Sequence, residues 1–340
     1  GLIVCPGLVD LSARLGAIEP ELAAAVAGGV TSLACPPYSK APLDEPGLVE
    51  RLVRHSEALG LARVFPIGAL TQQLAGEKLS EMNSLARAGC LAFSQAKEPI
   101  LDTQILFRAM QYAATFGYTV HLQPEDHYLA RDGVAHDGEV ASRLGLAGIP
   151  VCAETVAIST ALQLAGETGA RLHFARLSSV AGVALVRKAR QQGAKVSCDV
   201  AVHHLHLTEI DLAGFDSRCH VCPPLRGLRD KDALRAGLAS GALSAICSDH
   251  QPHEPDAKQA PFGDTEPGIS GLDTLLGLSL RLTRDGVLPL TTVIERLTCG
   301  PARILGLDRG HLSIGAMADV CVFDPEAEGL LEPATLRSRG

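Results

Sequence analysis

Side chains able to do acid–base or metal chemistry are concentrated in one short run, Ser248–His253. The run contains Asp249, His250 and His253, and carboxylate and imidazole groups either bind zinc or transfer protons at a reacting centre. Asp249 is the best candidate for a general base. A base alone does not hydrolyse an amide, because the carbonyl must also be polarised, and no donor for that task is evident in the sequence.

The elements that must position this run are short apolar segments that alternate with helical patterns, in which apolar residues recur at three- and four-residue spacing. Eight segments are strand-like: Leu8–Leu11, Thr31–Cys35, Arg63–Ile67, Cys90–Ser94, Tyr118–Leu122, Arg171–Leu177, Lys195–Val202 and Leu243–Ser248. This alternation predicts an α/β fold, a (β/α)8 TIM barrel, whose active site lies at the carboxyl ends of the strands. A doubly wound open sheet is the alternative, but no glycine-rich phosphate loop follows any strand.

Composition excludes several classes of protein. The 340 residues are 46% hydrophobic and carry a net charge of −8, so neither a disordered chain nor a nucleic-acid surface is expected. No run of eighteen apolar residues occurs, so no membrane association is expected. The ten cysteines are scattered along the chain, which is typical of buried thiols in a reducing compartment and favours a cytoplasmic location.

Several short motifs, in this order and spacing, resemble those of the amidohydrolase superfamily and, within it, the dihydroorotases. The motifs are Pro6–Asp10, Val202–Leu205, Pro223–Arg226, Ser248–His253, Pro267–Leu272, Pro301–Leu307 and Gly315–Asp319. The resemblance spans the whole chain and implies a TIM barrel of amidohydrolase type. In that family the barrel binds one or two zinc ions and hydrolyses a cyclic amide.

The metal-binding positions that the resemblance implies are mostly lost. The family's ligands are His-x-His after strand one, a bridging Lys carbamate or Asp after strand four, one His after each of strands five and six, and an Asp after strand eight. The lost ligand positions are Ser12, Arg14, Gln95 (with Ser94 as the alternative) and Arg176. The surviving positions are His121 and Asp249, and zinc needs at least three protein ligands. No metal is therefore expected.

The substrate-binding positions are degraded in parallel. An Arg and two Asn residues that the resemblance implies fall on Gly16, Pro37 and Cys222, and His253 alone remains as a vestigial substrate-binding group.

Loss of the metals leaves Asp249 without a cation, and an unpaired buried carboxylate is costly. Because a guanidinium suits pairing with a carboxylate, we expect Arg14 or Arg176 to pair with Asp249, directly or through one water.

Three functions are considered, and the loss of the metal-binding and substrate-binding positions favours the first, whose partner the resemblance implies. The first is a non-catalytic, oligomeric dihydroorotase homologue that supports the assembly of aspartate transcarbamoylase in pyrimidine biosynthesis, with Asp249 as a vestigial base and no cofactor. The second is an active dihydroorotase that uses one zinc ion at His121 and Asp249. The third is a regulatory module in which His253 and the two arginines, Arg14 and Arg176, hold a small anion in the emptied barrel mouth.

The chain ends are predicted to lie outside the barrel. Residues 7–311 are assigned to the barrel, and residues 1–6 and 312–340 to remnants of a small β-sandwich that the resemblance implies. Leu2–Cys5 and Val320–Phe323 are its expected strands.

Overall fold

A computed structural model describes residues 1–38, 40, 42–330, 332 and 335–338. Its strands are β1 (Ile3–Pro6), β2 (Leu8–Asp10), β3 (Val30–Cys35), β4 (Arg63–Ala69), β5 (Ala92–Ser94), β6 (Thr119–Leu122), β7 (Ala135–His136), β8 (Gly148–Ile149), β9 (Arg171–Phe174), β10 (Val196–Ala201), β11 (Ala245–Cys247) and β12 (Val320–Phe323). Its α-helices are α1 (Ile18–Ala27), α2 (Pro46–Leu59), α3 (Met82–Ala88), α4 (Thr103–Phe116), α5 (His127–Ala130), α6 (Glu139–Leu144), α7 (Val151–Thr168), α8 (Val180–Gln191), α9 (Leu228–Ala239), α10 (Leu275–Arg284), α11 (Leu290–Leu297) and α12 (Cys299–Leu305).

Eight of the strands form one parallel sheet in the order β2-β3-β4-β5-β6-β9-β10-β11. The sheet closes through a parallel bridge between Ala13 and His250, where the Arg14 N–H donates to the His250 carbonyl at 2.8 Å and the His250 N–H donates to the Ser12 carbonyl at 3.0 Å. The predicted TIM barrel is confirmed, and each of its strands lies on a predicted strand segment. The closing bridge places the residues after β2 directly beside those after β11.

The barrel interior is packed with small and branched apolar side chains. They include Val9, Leu11, Ala34, Ile67 and Ala92, all almost fully buried. A larger core lies between the sheet and the surrounding helices. The interior is mostly apolar along the strands, with Asp199 of β10 and His173 of β9 as buried polar exceptions near the mouth.

Two parts of the fold are absent from the sequence prediction. Between β6 and β9 lies a small unit with the two-residue parallel pair of β7 and β8 and the short helices α5 and α6. Two-residue strands are too short to show any alternation. Helix α12 follows α11 after Thr298.

Strands β1 and β12 pair antiparallel, with Cys5 opposite Cys321. Asp319, just before β12, fastens this pair to the barrel: it accepts two bonds from the Arg63 Nη1 at 2.7 and 2.8 Å and one from Arg309. The assignment of these strands to a sandwich stays a prediction. None of the helices in the described ranges is long and apolar enough to cross a bilayer.

Candidate functional site

Residues at three strand ends hold a left-handed backbone conformation that side chains other than glycine rarely adopt. Ala96, Arg176 and Asp249 have φ of 53°, 58° and 47° and lie just beyond β5, β9 and β11. The Arg176 N–H is held by the Asp199 carboxylate at 2.5 Å. Strained backbone of this kind costs of the order of 1–3 kcal/mol per residue and gathers at functional sites. These three residues set the direction in which the chain leaves β5, β9 and β11 at the barrel mouth.

Arg176 and Asp249 form a buried ion pair at the centre of the mouth. The Arg176 Nε lies 3.2 Å from the Asp249 Oδ1, and their side chains are 10% and 2% exposed. Ser12 links the two, since its Oγ accepts from the Arg176 Nη1 at 3.0 Å and lies 3.5 Å from the same Asp249 oxygen. Gln251 donates to that oxygen at 2.9 Å. The expected pairing of Asp249 with an arginine from a lost ligand position is confirmed.

The ion pair fixes the charge of its arginine. Burial by itself disfavours the cation and is the largest single effect, but Asp249, Asp199 and the other acidic groups nearby together outweigh it, so the pKa of Arg176 lies above its usual value. Burial raises the pKa of Asp249, and Arg176 opposes that rise. The Arg176 guanidinium is therefore a cation held against the Asp249 carboxyl group.

Arg14 does not share this role. Its guanidinium lies 5.3 Å from the centre of the Tyr38 ring, and no ion pair joins it to any described carboxylate. Burial lowers the pKa of Arg14, with the nearby Asp249 opposing the effect. Of the two arginines expected near Asp249, only Arg176 forms the pair.

The residue that faces the mouth from β5 is Ser94, not Gln95. Ser94 follows Ala92 in the alternation that points into the barrel, and it lines the mouth. The Gln95 side chain points away, because its amide is bonded to the Thr71 Oγ1 at 2.9 Å and to the Leu74 carbonyl at 2.8 Å. Of the two residues that the resemblance offers for the bridging position, Gln95 and Ser94, the structure places Ser94 at the mouth and Gln95 away from it.

His121 lines the mouth, and within the described residues its buried Nε2 has no hydrogen-bond partner. Burial, together with the nearby His173 and Arg176, holds the pKa of His121 well below its ordinary value, so the ring is neutral. His173 lies with its ring centre 4.5 Å from that of His121 and is held by Asp199 at 3.1 Å and Ser197 at 2.9 Å. His173 is therefore a structural neighbour.

The donor set at the mouth does not fit a zinc ion. In the ranges that the structure describes, no group of three or more His, Cys, Asp and Glu side chains is placed to hold a metal. The two surviving positions, His121 and Asp249, fall short of the three ligands that zinc requires, and the carboxylate is already engaged by Arg176.

His253, which the resemblance implies as a substrate-binding group, does not line the mouth. Its Nε2 lies 3.0 Å from the Pro267 carbonyl oxygen, and His253 is not among the described residues that line the cavity of about 50 Å³ there.

Sequence reasoning missed three residues that build the site. Gln123 accepts a bond from the Arg176 Nη2, Gln251 donates to Asp249, and Asp199 anchors the Arg176 backbone. Asp199 could have been noticed in the sequence, since a carboxylate inside an apolar strand segment indicates a buried polar contact. Gln123 lies two positions after His121, which is the spacing of side chains on one face of a strand.

The chain is similar to proteins of one family along its length. Residues 1–181 match the model of the "Dihydro-orotase-like" family. A "Dihydroorotase-like protein" of Pseudomonas aeruginosa is 48% identical over 97% of this chain and 80% of its own length. A "Dihydroorotase" of a Geobacter species is 40% identical over 100% and 82%. The solved L-hydantoinase of Arthrobacter aurescens shares the fold, with a TM-score of 0.89 at 23% identity over 100% of this chain and 80% of its own.

Proposed function

This chain belongs to the dihydroorotase-like family, and from that premise we propose that it is a catalytically degenerate dihydroorotase homologue. Its role is structural: it assembles with aspartate transcarbamoylase in pyrimidine biosynthesis, in the cytoplasm and as an oligomer. The observation that carries the proposal is the Arg176–Asp249 ion pair, 3.2 Å long and buried. The Arg176 guanidinium is paired with the Asp249 carboxylate, which hydrolysis would need as a metal ligand.

The loss of hydrolysis follows from the chemistry of water. Unassisted water is too weak an acid to supply hydroxide at neutral pH, whereas a bound zinc ion lowers the pKa of its water to about 7. Arg176 cannot replace the ion in this role, because a guanidinium has no vacant coordination position to accept a lone pair from water and only donates hydrogen bonds. Asp249 as a base would have to leave its ion pair, and the neutral imidazole of His121 forms no ion pair with a carboxylate of the described residues that would stabilise its protonated form.

The partner rests on the family resemblance, and the preserved fold supports it. The chain keeps a closed barrel with a packed interior although its centre is unsuited to the reaction. A folded barrel that lacks the residues for hydrolysis is consistent with a function that depends on contacts made by its surface.

An active enzyme with one zinc ion at His121 and Asp249 is the second candidate. Relatives at about 40% identity that carry the name dihydroorotase favour it. It requires the Arg176 side chain to leave Asp249 and to lose its bonds to Ser12 and Gln123.

The test co-expresses the chain with aspartate transcarbamoylase of the same organism and measures complex formation by size-exclusion chromatography with light scattering. Dihydroorotate turnover is measured on the same fractions. The proposal predicts a stable complex and no turnover by this chain. Turnover that depends on added zinc would establish the second candidate, and a chain that elutes alone at micromolar concentration would refute the assembly role.

A matched variant separates loss of ligands from loss of folding. Ser12→His, Arg14→His and Arg176→His together restore three imidazoles at the positions that the resemblance assigns to ligands. This variant is expected to bind zinc where the natural chain does not, and to keep the complex with the transcarbamoylase if assembly depends on the surface alone.

A further inference from the structure

The barrel mouth holds more positive charge than its carboxylates neutralise. Arg14 and Lys97 both line it, and neither forms an ion pair with a carboxylate of the described residues. The third cation there, Arg176, is neutralised by Asp249. Glu98 is the only carboxylate among the described lining residues. At this concave site three cations thus face two carboxylates, Glu98 and Asp249, and Glu125 and Glu266 act on the cations from further away.

A buried polar atom points to a ligand at the same place. His121 is 4% exposed, lines this cavity, and has an Nε2 with no hydrogen-bond partner in the described residues. A buried polar group without a partner costs about 1–3 kcal/mol. As a neutral ring it can present one N–H to an acceptor in the cavity.

The size of the cavity suits a small group. A volume of about 50 Å³ is room for a few waters, since one water needs about 10–15 Å³. A single oxyanion group fits in that volume.

From these observations we infer that the mouth binds one small oxyanion, with Arg14 and Lys97 as its cations and the His121 Nε2–H as a further donor. The group is a carboxylate or a phosphate, which share the recognition by charged and neutral N–H donors. The inference depends on the metal-free part of the proposed function and not on the partner. It also corrects the expected anion site, because Arg176 is engaged by Asp249 and His253 by Pro267.

The test uses isothermal titration calorimetry and thermal melting of the full chain with inorganic phosphate and with acetate, at constant ionic strength and after treatment with a chelator. We expect saturable one-to-one binding of at least one probe; binding of phosphate alone or acetate alone identifies which oxyanion the site takes. No saturable binding of either probe would overturn the inference. Binding that disappears after treatment with the chelator would also overturn the inference, because a metal would then hold the anion. Stoichiometric metal in the untreated chain would in addition refute the proposed function.

Variants assign the binding to these residues. Arg14→Gln is expected to weaken binding at least tenfold, and Lys97→Gln, on an exposed side chain, provides a second test that does not disturb packing. Glu98→Gln is expected to strengthen binding severalfold, which a merely structural role would not produce. Arg54→Gln, on an exposed arginine of α2, is the matched control. Equal affinity in Arg14→Gln and Arg54→Gln would refute the assignment.

Discussion

Removal of the Arg176 guanidinium is the perturbation that bears most directly on the site. Arg176→Met keeps much of the side-chain volume but leaves Asp249, with 2% of its side chain exposed, as a buried carboxylate without a cation. Breaking a buried ion pair on one side costs about 3–5 kcal/mol. Gln251 and Ser12 still bond to Asp249, so we expect the lower end, about 3 kcal/mol at pH 8.

The loss should depend on pH in a defined direction. Burial raises the pKa of Asp249, and Arg176 opposes the rise, so the pKa rises further in Arg176→Met. A carboxyl whose pKa is raised on folding destabilises the protein as pH rises above its unfolded value near 3.9. Arg176→Met is therefore expected to lose most stability at pH 8 and clearly less at pH 5, where the carboxyl takes up a proton.

Thermal melts at both pH values measure this effect. At about 2 °C per kcal/mol for a large domain, the melting temperature of Arg176→Met should fall by about 6 °C at pH 8. The double variant Arg176→Met with Asp249→Asn should recover most of the loss, because no buried charge is left. Arg54→Met, in an exposed pair with Glu50, should shift little. A loss that is the same at both pH values, or that Asp249→Asn does not relieve, would refute the reasoning.

Three further perturbations test the surroundings of the site. Burial raises the pKa of Asp10 to about 7, so the wild-type chain should lose stability as pH rises from about 4 to 7. Asp10→Asn should reduce this dependence of the free energy of unfolding on pH, as measured by urea titrations. An unchanged dependence would contradict the prediction. Glu154 accepts four hydrogen bonds from the backbone and hydroxyl groups of Ser178 and Ser179. Glu154→Ala should therefore lower the free energy of unfolding by about 3 kcal/mol in denaturant titrations. A loss below about 1 kcal/mol would show that these donors find other partners. Asp319→Asn weakens partly exposed ion pairs with two arginines and should lower the free energy of unfolding by about 1 kcal/mol or less. The effect should be seen as faster amide exchange in β12 alone. Faster exchange throughout the barrel would contradict this local role.

The barrel could be predicted from the sequence because short apolar strand segments alternate regularly with helical patterns. Each of the eight apolar segments became a strand, from Leu8–Asp10 to Ala245–Cys247. The sequence prediction did not include β7 and β8, which are two residues long, or α12, which begins two residues after α11 ends.

The site could be predicted only in part, because its geometry is set where the strands end. The pairing of Asp249 with an arginine followed from charge alone. Which arginine pairs did not, because Arg176 has a left-handed backbone that no pattern reveals and Arg14 stacks on Tyr38. The choice between Ser94 and Gln95 needed the register of β5.

We propose that the Arg176 guanidinium takes the place of a metal at Asp249. The measurement that tests it most directly is the zinc content of the purified chain, by mass spectrometry, after growth in zinc-supplemented medium and dialysis. The ion pair of Arg176 with Asp249 predicts far less than one zinc ion per chain. One or more tightly held ions per chain, lost in His121→Ala and Asp249→Asn, would contradict it.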